Sequence, residues 1–194
     1  MKKTQDEIIR EVQTKHGPQA WIVEKVLNYE NIQFFNRSKD LVARDRVGEV
    51  VFAVERENGK FICVRSSGYP EGIFRIPTGG ISHGEDVLEA VHREVGEELG
   101  LKAEIKRFLG VIKIEMRHKD ETVPFYSYLF HLKETGGRLL QDATDDEVSE
   151  IVEADADELA RLSEKLLSIE RGWRDWGTFR HMTTWEIAQY AKTL

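Results

Sequence analysis

The sequence predicts an α/β (α+β) domain in which a mixed β-sheet lies between helices. Three observations carry this reading. β-Branched and aromatic runs fall on both sides of one sharply bounded helix, helical periodicity marks both ends of the chain, and no repeat, low-complexity tract or linker divides it. At 194 residues and 40% apolar content, the chain can bury one sizeable core and is too hydrophobic to remain disordered.

Each element has its own signal. Ile8, Ile9 and Val12 recur at helical spacing within residues 4–13, and Gly17-Pro18 stops that helix. Residues 21–35, WIVEKVLNYENIQFF, read as a strand, and the polar NRSKDLVARDR that follows reads as a connector. GEVVFAVE and KFICVRS, separated by Arg56, Glu57, Asn58 and Gly59, suit an antiparallel hairpin, so the core begins near Val47. EIKRFLGVIKIEM and VPFYSYLFHLKE, joined by RHKDET, predict two further strands, and EVSEIVEA a short last one. Helix is expected from about residue 157 to 169 and again from Thr183, where Thr183 and Glu186 form a capping-box pattern. Residues 1–46 form a helix-and-strand extension in this scheme, suited to pairing two copies, and residues 47–194 form the main domain with its C-terminal helices.

Charge and cysteine content narrow the function. A net charge of −7 argues against a nucleic-acid surface, which gains affinity from clustered Lys and Arg, so an anionic substrate needs a bridging cation. Cys63 is the single cysteine, which rules out an internal disulfide and fits a reducing, cytoplasmic setting. No run approaches the ~20 apolar residues of a membrane span, and the N-terminus lacks the apolar segment of a secretory signal.

The central helix carries the chemistry. Asp86, with Glu89 three residues on, is a plausible N-cap, and Gly100 a plausible residue just past the C-terminus. At about 100° per residue, Val87, Leu88, Val91, Val95 and Leu99 share one arc of roughly a third of the circumference. Glu94 lies beside that arc, Glu97 further round, and Glu98 projects between Val87 and Val91, toward the core. A carboxylate placed there is heavily desolvated unless it meets a cation, and Glu94 repels Glu98 one turn on. A merely solvated acidic face would put its carboxylates away from the apolar arc.

Gly79, Glu85, Arg93, Glu94, Val95, Glu97, Glu98, Gly100 and Leu101 match the Nudix box, G-x5-E-x7-R-E-U-x-E-E-x-G-U, at every defined position. The order of elements over about residues 45–170 resembles the Nudix fold. The resemblance implies hydrolysis of the pyrophosphate bond in a nucleoside diphosphate linked to another moiety, with Mg²⁺ (or Mn²⁺) as cofactor. It implies metal ligation by Glu94, Glu97, Glu98 and the Gly79 carbonyl in the loop at residues 77–80. It further implies a catalytic set of Glu97, Glu98, Arg93 and Glu85, in which Arg93 fixes Glu97 by an i,i+4 pair and Glu85 supports it or caps the helix. The general base is either a box glutamate or one of Asp145, Asp146, Glu147 and Glu150.

Tyr69, Phe74 and Arg75, just before the box, are the candidate substrate contacts. Trp173 and Trp176 could stack on a nucleobase, though tryptophans near a terminal helix more often close a core. His83 and His92 receive no role. ADP-ribose pyrophosphatases of the family often carry a proline beyond the box, where this chain reads EMRHKDE with Pro124 later, and the coenzyme A, NADH and diadenosine-polyphosphate signatures are not apparent. Two other readings share the scaffold: a Nudix-fold binding or regulatory protein, and an isopentenyl-diphosphate isomerase-like enzyme, which needs a catalytic cysteine where Cys63 looks like a core residue.

Overall fold

The computed structural model describes residues 3–44 and 46–194, leaving Met1, Lys2 and, within the expected connector, Asp45 outside the described residues; nor are the side chains of Arg171 and of Val47, the expected start of the core, among them. In chain order the elements are α1 (Gln5–His16), β1 (Trp21–Asn28), α2 (Ile32–Arg44), β2 (Arg46–Glu55), β3 (Phe61–Arg65), β4 (Thr78–Ser82) and α3 (Val87–Leu99). There follow β5 (Leu101–His118), β6 (Glu121–Gly137), β7 (Glu150–Ala154), α4 (Ala156–Leu167), a 3₁₀ turn (Arg171–Trp173) and α5 (Arg174–Ala191).

The strands form one mixed sheet in the order β1-β5-β6-β2-β3-β7, with β4 also paired to β2. β1 runs parallel to β5 and β2 parallel to β6, whereas the β5–β6, β2–β3, β2–β4 and β3–β7 pairs are antiparallel. Successive side chains of a strand point to opposite faces, and β2 divides its residues accordingly. Val50, Phe52 and Val54 enter a core with Ile9 and Val12 of α1 and Val91, Val95 and Leu99 of α3. Val51 and Ala53 enter the other, with Phe35 of α2, Leu159 of α4 and Phe179 and Ile187 of α5. The sheet is thus held between helices, as predicted. Among the described residues no helix is long and apolar enough to cross a membrane.

Three local expectations need correction. The strand read over residues 21–35 ends at Asn28, and the polar connector is helix α2. Asn31 starts that helix by accepting from the Gln33 and Phe34 N–H groups, while Asp175 of α5 accepts from the N–H groups of Glu30 and Asn31. The sequence hides α2 because Phe35 is its one fully buried side chain among those described. The Thr183–Glu186 pattern is no cap: α5 is continuous from Arg174, and Thr183 sits buried inside it, donating to the Arg180 carbonyl. The loop expected at residues 77–80 is largely strand β4, with Gly79 opposite Val50 and Gly80 opposite Glu49.

Candidate active site

Helix α3 begins and ends where its sequence signals place it. Asp86 accepts from the Leu88 and Glu89 N–H groups, and Gly100 ends the helix in the left-handed conformation at φ 68°. Val87, Val91, Val95 and Leu99 are buried on the sheet, and the carboxylates follow the wheel. Glu98 is 3% exposed and Glu94 8%, while Glu97 is half-buried.

Arg93 is the hub of the site. Its Nε and Nη2 donate to the two oxygens of Glu85 at 2.7 and 3.0 Å, and its Nη1 to Glu94 and Glu97, both at 2.8 Å. Nη2 also donates to the Gly80 carbonyl at 2.9 Å, tying α3 to β4. The expected Arg93–Glu97 pair is present, with two further acids on the same guanidinium. Glu85 does not cap the helix: besides Arg93 it takes the Ser82 N–H, and these partners, Arg93 foremost, hold its carboxyl below the ordinary range.

Glu98 has no such partner. Its Oε2 is buried and accepts no hydrogen bond from a described residue. Burial above all, and then the nearby charges of Glu94, Glu147 and Asp145, push its carboxyl up to about 8, against the opposing pull of Arg75. Glu94 is likewise raised, by burial first. Its side chain lies directly on β4, where a Cβ on Gly79 would fall 2.0 Å from the Glu94 carboxyl carbon. A glycine at position 79 is therefore what admits Glu94 to this place.

The acidic loop after β6 is held at the end of α3. The N–H groups of Thr144 and Asp145 donate to the Glu97 carbonyl at 3.0 and 3.2 Å, and that of Leu140 to the Leu99 carbonyl at 2.8 Å, satisfying carbonyls left open at the helix end. This docking brings Asp145 and Glu147 within electrostatic reach of Glu98. Glu150 instead pairs with Arg65 at 2.6 Å, and Asp146 is exposed.

Arg75 is buried at 4% exposure. It donates to Tyr69 Oη at 3.0 and 3.2 Å, to the Ile76 carbonyl at 2.9 Å and to Thr78 Oγ1 at 3.2 Å. Phe74 is half-buried and packs on the core beneath α4 and α5. Tyr69, Trp173 and Trp176 form one aromatic cluster. His83 and His92 are exposed.

Sequence reasoning missed several charged residues. Arg46 packs so close to β4 that a Cβ on Gly80 would lie 2.7 Å from its guanidinium, and it acts electrostatically on Glu94. Buried Glu49 pairs with Arg180 of α5 at 2.7 Å and accepts from Ser127 Oγ at 2.8 Å. The one available signal for Glu49 was a charge within the apolar run GEVVFAVE.

Among the described residues no three acid or imidazole groups already converge on one point as a metal cluster. The donors nevertheless fit a hard divalent cation, which takes oxygen ligands. Glu98 offers a buried, unpartnered carboxylate oxygen, and Glu94 and Glu97 stand beside it, each giving an oxygen to Arg93.

Comparison with known proteins identifies the family. The model of the NUDIX domain matches residues 45–176. The chain is 31% identical over 125 residues to an ADP-ribose pyrophosphatase of Methanocaldococcus jannaschii, covering 63% of this chain and 71% of that one. It is 35% identical over 102 residues to diphosphoinositol polyphosphate phosphohydrolase 3-alpha of Mus musculus, covering 53% of this chain and 57% of that one. The solved structure of a NUDIX hydrolase from Nitrosomonas europaea superposes with a TM-score of 0.50 at 15% identity, over 70% of this chain and 90% of that one, a likeness of fold alone. The chain belongs to the Nudix family. Within it, this protein is a Nudix pyrophosphohydrolase.

Proposed function

We propose that the protein hydrolyses, with Mg²⁺ or Mn²⁺, the pyrophosphate bond of a nucleoside diphosphate linked to another moiety. The observation that carries the proposal is the buried Glu98 Oε2, which among the described residues has no hydrogen-bond partner, on the same helix as Glu94 and Glu97. Glu94, Glu97, Glu98 and the Gly79 carbonyl would hold the cation. Bound there, it would neutralise phosphate charge and make an attacking water more acidic. Arg93 keeps Glu85, Glu94 and Glu97 in fixed rotamers, as a supporting partner of ligands does. Glu98, or Asp145 or Glu147 across from it, takes the proton of the attacking water; Asp146 and Glu150 are the weaker candidates. Arg75, Phe74 and Tyr69 form the substrate side, where the buried Arg75 charge favours the anionic pyrophosphate.

A panel of nucleoside diphosphate derivatives with Mg²⁺ or Mn²⁺, scored by phosphate release after phosphatase treatment, tests this. Cleavage of at least one is expected, and none across a broad panel would refute nucleoside diphosphate derivatives as the substrate class. The isomerase reading lacks its nucleophile: Cys63 is fully buried, and burial drives its thiol far above the usual range. Residues 1–46 are proposed as a dimerising extension in a cytoplasmic homodimer, with residues 47–194 as the hydrolase domain. Edge strand β1 supports the pairing, since it exposes Ile22 at 48% and Val26 at 49%. Light scattering should show a dimer that Ile22→Glu with Val26→Glu converts to monomer, and a monomeric parent would end that part of the proposal.

A further inference from the structure

Glu49 is a buried carboxylate on β2 that the hydrolytic chemistry leaves unused. Both its oxygens are taken: Oε1 accepts from Ser127 Oγ at 2.8 Å and Oε2 from Arg180 Nη1 at 2.7 Å. Arg180 belongs to α5, and its side chain is 15% exposed. A buried ion pair adds little to stability, because two neutral side chains of similar volume often serve as well, but removing one partner strands the other charge. What a stranded Glu49 would turn to is decided by its neighbours.

Residues four apart on a helix differ by about 40° on the wheel, so Trp176, Arg180 and Thr184 share one stripe of α5. Each bears on the surroundings of Arg75. Trp176 packs on Tyr69 with ring centres 4.4 Å apart, and Tyr69 Oη accepts from Nε and Nη2 of Arg75. Thr184 Oγ1 accepts the Ile76 N–H at 3.4 Å, and the Ile76 carbonyl accepts from Arg75 Nη1. Arg180 neutralises Glu49, whose charge acts on Arg75 as that of Glu98 does. A guanidinium has five N–H donors. Tyr69 takes two of those of Arg75, and the Ile76 carbonyl and Thr78 Oγ1 one each, which among the described residues leaves one N–H of Nη2 uncommitted. A phosphate oxygen and a stranded Glu49 would compete for that donor. The carboxylate has the advantage, because a buried charge without a partner is costly.

We propose that Arg180 is a positioning residue for the pyrophosphate chemistry: by holding Glu49 in an ion pair, it keeps Arg75 available to the phosphates of the substrate. The inference rests on the hydrolase reading, in which Arg75 lies on the substrate side, and it gives α5, far from the box helix in sequence, a share in substrate affinity.

The test is calorimetric binding of imidodiphosphate to the full chain in Mg²⁺. Its P–N–P bridge replaces the anhydride, so binding is measured apart from hydrolysis. Arg180→Gln should weaken binding about tenfold or more, the worth of one hydrogen bond to a charged group, and the KM of any panel substrate should rise alongside while kcat changes less. Arg180→Gln combined with Glu49→Gln removes both charges, so nothing competes for Arg75 and binding should return to within about threefold of the parent. A purely structural pair would lower the melting temperature of Arg180→Gln and leave its affinity unchanged. An Arg180 that itself touched phosphate would leave the double variant as weak as the single one. Either result overturns the proposal, as does a parent that binds no imidodiphosphate at millimolar concentration. If Arg180→Gln fails to fold, Ser127→Ala, which withdraws the other donor from Glu49, replaces it: binding should weaken about threefold or more, and unchanged affinity overturns the proposal. The expected order of variants without turnover on the substrate panel would sink the hydrolase reading and leave the role of Arg180 standing, whereas turnover with unchanged affinity in Arg180→Gln would do the reverse.

Discussion

Glu98→Gln separates what burial costs the fold from what a bound cation gives back. Glutamine keeps the volume and removes the charge. In the metal-free protein, burial pushes the Glu98 carboxyl from an ordinary 4.5 up to about 8. A folded value above the unfolded one means the folded state binds more protons across that interval. Stability therefore falls as pH rises from about 4.5 to about 8, and below about 4.5 both states are protonated and the effect vanishes. At about 1.4 kcal/mol per pH unit the whole interval is worth at most about 5 kcal/mol. The variant also deprives buried Arg75 of part of its counter-charge, which offsets some of the gain. The expected net gain in EDTA at pH 8 is about 1–3 kcal/mol, or about 2–12 °C in melting temperature for a chain of this length. Melting curves in EDTA from pH 4.5 to 9 should thus converge at the acid end and diverge at the basic end. With Mg²⁺ the order should reverse: the parent gains stability and turnover, the variant little of either, and calorimetry shows the lost affinity. Superimposable metal-free curves across the range would refute the burial argument. Unchanged Mg²⁺ affinity and turnover would remove Glu98 from the site.

Gly79→Ala tests the close approach of Glu94 to β4. The three atoms nearest its Cβ all belong to the Glu94 side chain, so the melting temperature should change by a few degrees while Mg²⁺ affinity and turnover drop about tenfold or more. Parent-like Mg²⁺ affinity would show that Glu94 binds no metal from its observed position. Arg93→Ala leaves Glu85, Glu94 and Glu97 without their shared cation. Because Arg93 is partly solvated, the stability loss should be modest, about 1–2 kcal/mol at pH 7. The Glu85 carboxyl, now lowered by Arg93, contributes stability above its unfolded value that is lost as pH falls through the folded one. The variant should therefore show a flatter acid limb in its melting temperature, and a limb identical to the parent's would contradict the hub role.

The parts of the site legible in the sequence are those that one helix carries. A single period and two caps fix the phase of α3, so the depths of Glu94, Glu97 and Glu98 follow from spacing alone. Arg46 and Arg180 were not legible, and Glu49 showed only as a charge within an apolar run, because their contacts form through the β2–β4 and β2–β6 pairings and the packing of α5, at separations no local pattern reports. Burial of Arg75 depends on a turn and on Tyr69 folding back over it. In the fold, α2 escaped notice because it buries so little, and β4 because its two glycines read as a loop. The same glycines serve the site, Gly79 facing Glu94 and Gly80 facing Arg46.

Helical phase also accounts for the doublets Arg93-Glu94 and Glu97-Glu98. Residues four apart are about 40° apart on the wheel, and adjacent residues about 100°. Two parallel stripes result. Arg93 and Glu97 occupy the half-exposed one and neutralise each other, while Glu94 and Glu98 occupy the buried one and repel. Arg93 crosses from the first stripe to bind Glu94 in the second, but among the described residues neither it nor any other group donates to the buried Glu98 Oε2. The helix thus satisfies three of its neighbouring acids from one guanidinium and keeps the deepest one unpaired among valines. An unpaired buried carboxylate is a cost to the fold, and its place where the local rule is broken marks the position at which an entering cation gains most.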